Sequence, residues 1–171
     1  TISIDSVDVG VDEDTDTDPI IQDPSSTVPS GRVAACTDGI IKVATAGGTF
    51  TSCKSISANF KAMIDLAWSQ GMKISGGGFR TRQQQIALRA AHCGGSSQFN
   101  VYEKSSSLCR PPTARPGKSN HESGLAFDLT CNGQTIRSRD NACFVWLQAN
   151  ARKYGLINFS KEPWHWSVDG K

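Results

Sequence analysis

The sequence has no run of about 18 or more apolar residues, the length at which a helix could cross a bilayer, so we expect no membrane span. Residues 1–30 contain no lysine or arginine but carry eight acids and three prolines, without a sustained hydrophobic period. This composition predicts a disordered acidic tail or linker, followed by one folded domain over residues 31–171. No signal peptide is visible and the first residue is Thr1, so we expect that a leader or a longer N-terminal region has been removed.

The charge of the chain is unevenly distributed. Residues 31–171 hold all 18 lysines and arginines against eight acids, a net charge of +10. A basic domain suits a polyanionic partner, which could be nucleic acid, teichoic acid or the carboxylates of peptidoglycan. Zinc-finger spacing, an aromatic RNA-binding signature and a heptad-bearing basic helix are all missing, so we expect no nucleic-acid partner.

The cysteines form no C-x-x-C pair, which argues against a thiolate metal site or a thioredoxin-type redox centre. An even number of cysteines favours three disulfides and a secreted or cell-envelope, extracytoplasmic location; six reduced thiols in a cytosolic protein are the alternative. Six cysteines allow 15 pairings. Each sequential pair flanks a local loop, so we predict the following three bridges: Cys36–Cys53, Cys93–Cys109 and Cys131–Cys143.

Helical and alternating patterns interleave irregularly along the domain, and no internal repeat is evident. This arrangement predicts an α+β fold in which helices flank a small antiparallel sheet. The predicted strands are 40–44, 48–51, 72–75, 125–129 and 164–168, and the predicted helices are 57–70, 81–92 and one that Asp140 caps. A Ser- and Pro-rich loop over residues 95–118 is long enough to suggest a function.

Two of the three histidines lie in settings that suit a metal. His121 precedes Asp128 by seven residues, about 23 Å if the chain is extended, so the two can share an ion only if the chain turns back near Ser123 and Gly124. Small neighbours beside Asp128 leave room above that face of the strand. A loop histidine and a turn acid are the alternatives for this pair.

His165 lies between two tryptophans, which alternation places together on the opposite face of the strand. A simple core histidine is the alternative. Glu162 would point away from His165 in a straight strand, so Pro163 must mark a bend if the two act together. Two histidines and one aspartate leave a fourth position for water, as in catalytic zinc sites, and a nearby glutamate could move that water's proton to the leaving amine.

Three sequence motifs carry a family resemblance. The segment 119–128 is a full match to S-x-H-x-x-G-x-A-x-D, and residues 162–165 match E-x-W-H. The segment 75–81, followed by Gln85, is similar to S-G-Y-R-S…Q, although it has an extra glycine, Phe79 for Tyr and Thr81 for Ser. The chain thus resembles the D-alanyl-D-alanine carboxypeptidase and dipeptidase family of zinc peptidases, whose fold is shared with lysostaphin and hedgehog domains. Residues 1–60 lie outside the resemblance.

The resemblance implies a role for each matching residue. It implies one Zn²⁺ per chain with the ligands His121, Asp128 and His165. Glu162 would be the general base, Arg80 would steady the scissile carbonyl, and Ser119 and Gln85 would meet the substrate. Outside the motifs, Arg115 in the Pro-rich loop is a candidate for binding a substrate carboxylate, whereas His92 is expected to be structural, and Arg82 and Arg89 to be solvated helix residues.

We therefore predict a monomeric metallo-D,D-carboxypeptidase that acts on the peptide stem of peptidoglycan. One alternative is an endopeptidase of the same fold that cuts an L-Ala–D-Glu bond. A zinc-containing wall-binding module without activity is a second alternative, although a purely structural site would not need Glu162. A basic nucleic-acid binder is a third, which the acidic tail and the predicted disulfides disfavour.

Overall fold

Residues 35–171 are described by the computed structural model, so the predicted tail over residues 1–30 and the predicted start of the domain lie outside the described residues. The strands are β1 (Ile40–Thr45), β2 (Gly48–Cys53), β3 (Ile74–Gly77), β4 (Ala126–Cys131), β5 (Gln134–Thr135), β6 (Ile157–Asn158) and β7 (His165–Ser167). The helices are α1 (Lys54–Ser69), α2 (Arg82–Cys93) and α3 (Ala142–Asn150). Shorter helical turns cover Phe99–Glu103, Ser106–Leu108 and Ala151–Tyr154.

The predicted α+β fold is confirmed. Strands β1 and β2 form an antiparallel hairpin, and a second antiparallel sheet has the order β3-β4-β7-β6, with β5 paired to β4. Helices α1 and α3 contribute apolar side chains to the core that one face of this second sheet covers. Among residues 35–171, no helix combines the length and the apolar character needed to cross a membrane.

Helix α1 supplies the centre of the core. Its apolar stripe is buried as the 3.6-residue period predicts, and Phe60 stacks on Phe127 of β4 with ring centroids 3.7 Å apart. The helix begins at Lys54, three residues before the predicted start, because β2 runs directly into it through the extended residue Cys53. The buried core of the domain consists mainly of Phe50, Phe60, Met63, Ile64, Ala67, Ile74, Phe127, Leu129, Ile136, Phe144, Leu147, Leu156 and Trp166.

The other two helices begin at side-chain caps. Helix α2 has the predicted capping box, in which the Thr81 hydroxyl accepts a hydrogen bond from the Gln84 main-chain N–H and the Gln84 side chain accepts one from Thr81. Helix α3 is capped by Asn141 rather than by the predicted Asp140. Asn141 is the residue directly before the first helical turn, and its side-chain oxygen accepts from the Cys143 N–H at 2.9 Å.

All three predicted disulfides are present. Cys36–Cys53 joins the end of β2 to the segment before β1, and Cys131–Cys143 joins β4 to α3. Cys93–Cys109 closes the long loop onto the end of α2. The bridges therefore hold segments that follow one another in sequence, and the last two attach helices to the elements that carry the site.

Arg89 of α2 is fully buried, so the prediction that it is solvated is wrong, whereas Arg82 is exposed as predicted. The long loop wraps around the end of α2 and directs main-chain carbonyls at the guanidinium. Arg89 donates hydrogen bonds of 2.7–3.0 Å to the carbonyl oxygens of four loop residues, which are Asn100, Val101, Lys104 and Thr113. A buried cation requires such partners, and here it fixes the path of the loop.

Removing the bridge at the end of α2 tests the contribution of this attachment. The double variant Cys93→Ala/Cys109→Ala should lose about 3 kcal/mol of unfolding free energy, because its loop of about 16 residues gains freedom in the unfolded chain. Urea denaturation followed by circular dichroism measures the change. An unaltered midpoint and slope would contradict this account of the loop.

Candidate metal centre and active site

The site is built on the pairing of β4 with β7. In this register Asp128 lies directly opposite His165, and the Asp128 Oδ1 to His165 Nδ1 distance is 3.0 Å. Side chains alternate along a strand, so Phe127 and Leu129 enter the core while Asp128 faces the other way. In β7, Trp166 is buried in the core and His165 points to the same side as Asp128.

A tight turn brings His121 to the same place. The Gly124 N–H donates to the His121 carbonyl at 3.0 Å, and the Leu125 N–H donates to the Asn120 carbonyl at 2.9 Å, so the chain reverses where the sequence required it. Gly124 has a φ of +65°, and a Cβ there would lie 2.6 Å from the main-chain nitrogen of Cys53. Only glycine fits both the backbone conformation and the close approach to β2.

The three side chains offer donor atoms to one point. His121 Nε2 lies 3.2 Å from Asp128 Oδ1 and 3.2 Å from His165 Nδ1, and the three atoms lie within 4.8 Å of one another. Ligands about 2.0–2.1 Å from a shared tetrahedral ion would be roughly 3.3 Å apart, which these separations match closely. An N/N/O donor set of this kind suits zinc.

Main-chain oxygens set the orientation of both rings. The Gly78 carbonyl lies 2.8 Å from His121 Nδ1, and the main-chain oxygen of Lys171 lies 3.0 Å from His165 Nε2. Because these oxygens only accept, each of those nitrogens carries a proton. In the neutral ring that a metal would bind, the other ring nitrogen keeps its lone pair, whereas in the protonated ring it donates to Asp128. Both lone pairs therefore face the point next to Asp128, as metal-binding histidines require.

The ionisation of the carboxyl groups follows from their neighbours. Burial tends to raise the pKa of Asp128, but hydrogen bonds from His121 and His165 outweigh it and hold that pKa well below its usual range. Burial tends to lower the pKa of His165, and the hydrogen bond to Asp128 outweighs it, so the net shift is upward. Burial raises the pKa of Glu162. Asp128 is thus an ionised ligand candidate, and Glu162 takes up a proton more readily than an exposed glutamate does.

Glu162 enters the site through the bend that the sequence required. The His165 N–H donates to the Glu162 carbonyl at 3.1 Å, which closes a four-residue turn containing Pro163. Without this turn, strand alternation would direct Glu162 away from the histidine. With it, both side chains line the same cavity.

Arg80 reaches the site despite the additional glycine before it. Its Nη2 lies 3.4 Å from Asp128 Oδ2, and its Nη1 donates to Gln85 Oε1 at 2.8 Å. Gln85 is only 1% exposed, and its Nε2 donates to the Ala114 carbonyl at 2.7 Å. Gln85 was predicted to contact the substrate. In the structure both ends of its amide are hydrogen-bonded, and it links Arg80 to the long loop.

These groups line one cavity of about 540 Å³. The predicted site residues in its wall are Arg80, Gln85, Ser119, His121, Asp128, Glu162 and His165. Arg115 is not among them, because it is exposed and its guanidinium donates to the carbonyls of Glu103 and Lys104. His92, expected to be structural, does line the cavity. His92 follows Gln85 by seven residues, which places both on one face of α2, so the sequence spacing could have predicted that His92 lines the cavity.

A family model for D-alanyl-D-alanine carboxypeptidases, the VanY family, matches residues 51–171. The chain belongs to this family. The match contains every candidate site residue described above and confirms the resemblance found in the three motifs. Family members are zinc peptidases, which agrees with the donor set formed by the two histidines and Asp128.

One individual relative agrees with this assignment. The D-alanyl-D-alanine carboxypeptidase of Enterococcus faecalis is 28% identical over 129 residues, which cover 67% of this chain and 47% of that protein. The chain therefore spans less than half the length of that relative.

Two solved structures share the fold. The vancomycin-resistance D,D-pentapeptidase VanY in complex with Zn(II) aligns with a TM-score of 0.54 and 22% identity, covering 78% of this chain and 82% of that one. The LD-carboxypeptidase LdcB aligns with a TM-score of 0.52 and 26% identity, covering 68% of this chain and 58% of that one.

The donor geometry can be tested by metal content. We expect the purified protein to bind a divalent metal, and the variants His121→Ala, Asp128→Ala and His165→Ala to lose most of it, because each removes one of three protein ligands. Elemental analysis after dialysis measures the stoichiometry. His92→Ala is the matched control, since it removes the third histidine of the chain and should leave the metal in place. Undiminished metal in His121→Ala protein would exclude the assigned site.

Proposed function

We propose that this chain is a zinc-dependent D-alanyl-D-alanine carboxypeptidase that acts outside the cytoplasm on the peptide stem of peptidoglycan. The observation that supports it best is that three convergent donor atoms, a glutamate and an arginine share one cavity in a member of this family. The ligands are His121, Asp128 and His165, with one Zn²⁺ per chain. Three disulfides support an extracytoplasmic location.

Zinc in such a site supplies Lewis acidity, which acidifies water and polarises a carbonyl oxygen. Glu162 takes the proton that the attacking water gives up and then delivers it to the amine nitrogen as the C–N bond breaks. A carboxyl group whose pKa is raised by burial suits this double role, because it must both accept and release the proton.

Arg80 stabilises the negative charge that develops on the scissile carbonyl oxygen by donating a hydrogen bond to it. Its contacts with Asp128 and Gln85 hold the guanidinium in place before the substrate arrives, so little reorganisation is needed. Ser119 is 8% exposed in the cavity wall, which supports the proposal that it contacts the substrate near the metal.

An L,D-carboxypeptidase is the second candidate, because the LD-carboxypeptidase LdcB is 26% identical over the aligned fold. Both candidates remove a C-terminal D-residue and differ in the configuration of the residue before it. Neither of the two solved structures named above is described as an L-Ala–D-Glu endopeptidase. A binding module without activity is disfavoured because Glu162 lines the cavity beside the three ligands, and a purely structural metal site would not need such a base.

Product analysis separates these activities. We expect the protein to release one D-Ala from a stem pentapeptide that ends in D-Ala-D-Ala, and to act far more slowly on the tetrapeptide product, whose last bond joins an L- to a D-residue. Mass spectrometry of purified muropeptides measures both reactions. Faster cleavage of the tetrapeptide would instead support the L,D activity, and an internal cut would support the endopeptidase.

The role of Glu162 is tested by Glu162→Gln, which keeps the size of the side chain but removes the base. The turnover number should fall by about 10²–10⁴ while the metal content stays unchanged. Arg80→Ala should also slow turnover without loss of metal, because it removes a donor to the developing oxyanion.

Glu103→Gln provides the matched control, since Glu103 is exposed and lies outside the cavity wall. It should retain the parent rate. If Glu162→Gln protein bound zinc and cleaved the pentapeptide at the parent rate, Glu162 would be a residue of the turn alone and the mechanism would fail.

A further inference from the structure

His92 lines the same cavity as the metal-binding side chains. Gln85, Leu88 and His92 follow one another along one face of α2 and all three line the cavity. The mechanism above uses Gln85 through Arg80, but gives no role to His92. The His92 ring contacts the opposite wall, where its Nδ1 lies 2.8 Å from Thr113 Oγ1.

The hydrogen bonds of Thr113 determine which ring nitrogen carries the proton. Thr113 Oγ1 donates its hydrogen to the Pro111 carbonyl at 2.9 Å, and a carbonyl can only accept. The hydroxyl oxygen must therefore accept from His92, so the neutral ring is protonated at Nδ1. Nε2 is then an acceptor, and among residues 35–171 the structure records no hydrogen bond to it.

The spacing along α2 sets how far His92 lies from Gln85, the side chain that holds Arg80. Residues 111–114 run beside α2 in the opposite direction, with Thr113 at His92 and the Ala114 carbonyl at Gln85. Seven residues of helix separate Gln85 from His92, a rise of about 10 Å. An extended peptide covers about 3.3 Å per residue, so this distance corresponds to roughly three substrate residues.

We propose that His92 is a specificity residue whose Nε2 accepts a hydrogen bond from the main-chain N–H of the third substrate residue on the acyl side of the scissile bond. The inference rests on the proposed function, because a carboxypeptidase substrate has only one residue beyond that bond and must fill the rest of the cavity with its acyl side. Leu88, Pro111 and Pro112 provide apolar walls for that part of the peptide.

The charges near His92 favour a neutral substrate N–H over a substrate ammonium group as the donor to Nε2. Arg89 donates to the Thr113 carbonyl, Lys104 Nζ to the Cys93 carbonyl at 2.6 Å, and Arg110 Nη1 to the Cys109 carbonyl. Three cations held next to this end of the cavity repel a fourth. A peptide N–H can donate to His92 Nε2 without this charge repulsion.

The test compares the parent protein with His92→Phe, which keeps a planar ring but has no acceptor. The substrates are the stem pentapeptide, the same peptide N-methylated at the third acyl residue, and acetyl-D-Ala-D-Ala, which is too short to reach His92. We expect kcat/KM for the pentapeptide to fall about three- to tenfold, either on N-methylation or in the variant. The two changes together should cost no more than one alone, because they remove the same hydrogen bond. The short substrate should be cleaved equally by both proteins.

Independent losses from the two changes, equal losses on the short and the long substrate, or no loss at all would each overturn the inference. The methylated peptide tests the contact in the unaltered protein, so the result does not depend on the folding of a variant. Tyr102→Phe, which also removes a polar atom from an aromatic side chain but lies outside the cavity wall, is the control and should behave as the parent.

Calorimetry separates failure of this inference from failure of the proposed function. If the parent protein releases D-Ala from none of the three substrates, the proposed function is wrong. Binding of the pentapeptide and of its methylated form to parent and His92→Phe protein then decides the inference alone. A Kd that weakens about three- to tenfold on methylation in the parent and not in the variant supports the hydrogen bond, and any other pattern excludes it.

Discussion

The pairing of Asp128 with His165 across β4 and β7 is the constraint on which the rest of the site depends. A shift of one residue in that register would turn one partner into the core and destroy the donor set. The register is fixed from the opposite face, where Phe127 and Trp166 are buried and leave no freedom to slide. Core packing on one side of the sheet therefore determines the metal geometry on the other, and His121 needs only the turn at Gly124 to join it.

Much of this arrangement could be predicted from the sequence because the determining rules are local. Alternation in β4 and β7 placed Asp128 and His165 on the faces where they are found, and the reversal at Gly124 followed from the need to bring His121 back. The turn at Pro163 was predicted in the same way, because Glu162 can act together with His165 only if the chain bends between them. In contrast, the short strands β5 and β6 have two residues each, too few for a period to show.

The side chains that join the long loop to its surroundings could not be placed in this way. Arg89 and Arg115 are both arginines outside the three motifs, yet one is buried and the other is exposed. The difference arises from where the loop carbonyls point, and sequence spacing gives no direction for a carbonyl. Arg89 meets four of them. The carbonyls that Arg115 meets, those of Glu103 and Lys104, draw it away from the cavity.

The two walls of the cavity are therefore stabilised by different interactions. The sheet carries the metal-binding side chains and is held by the core, whereas the loop that forms the other cavity wall is held by Arg89 and by the Cys93–Cys109 bridge. Gln85 connects them, since one end of its amide accepts from Arg80 and the other donates to the Ala114 carbonyl. A substitution in the loop can thus alter which peptide the cavity accepts without moving the metal ligands. A displacement of the Ala114 carbonyl, in contrast, would shift Arg80, because the Gln85 side chain bonds to both.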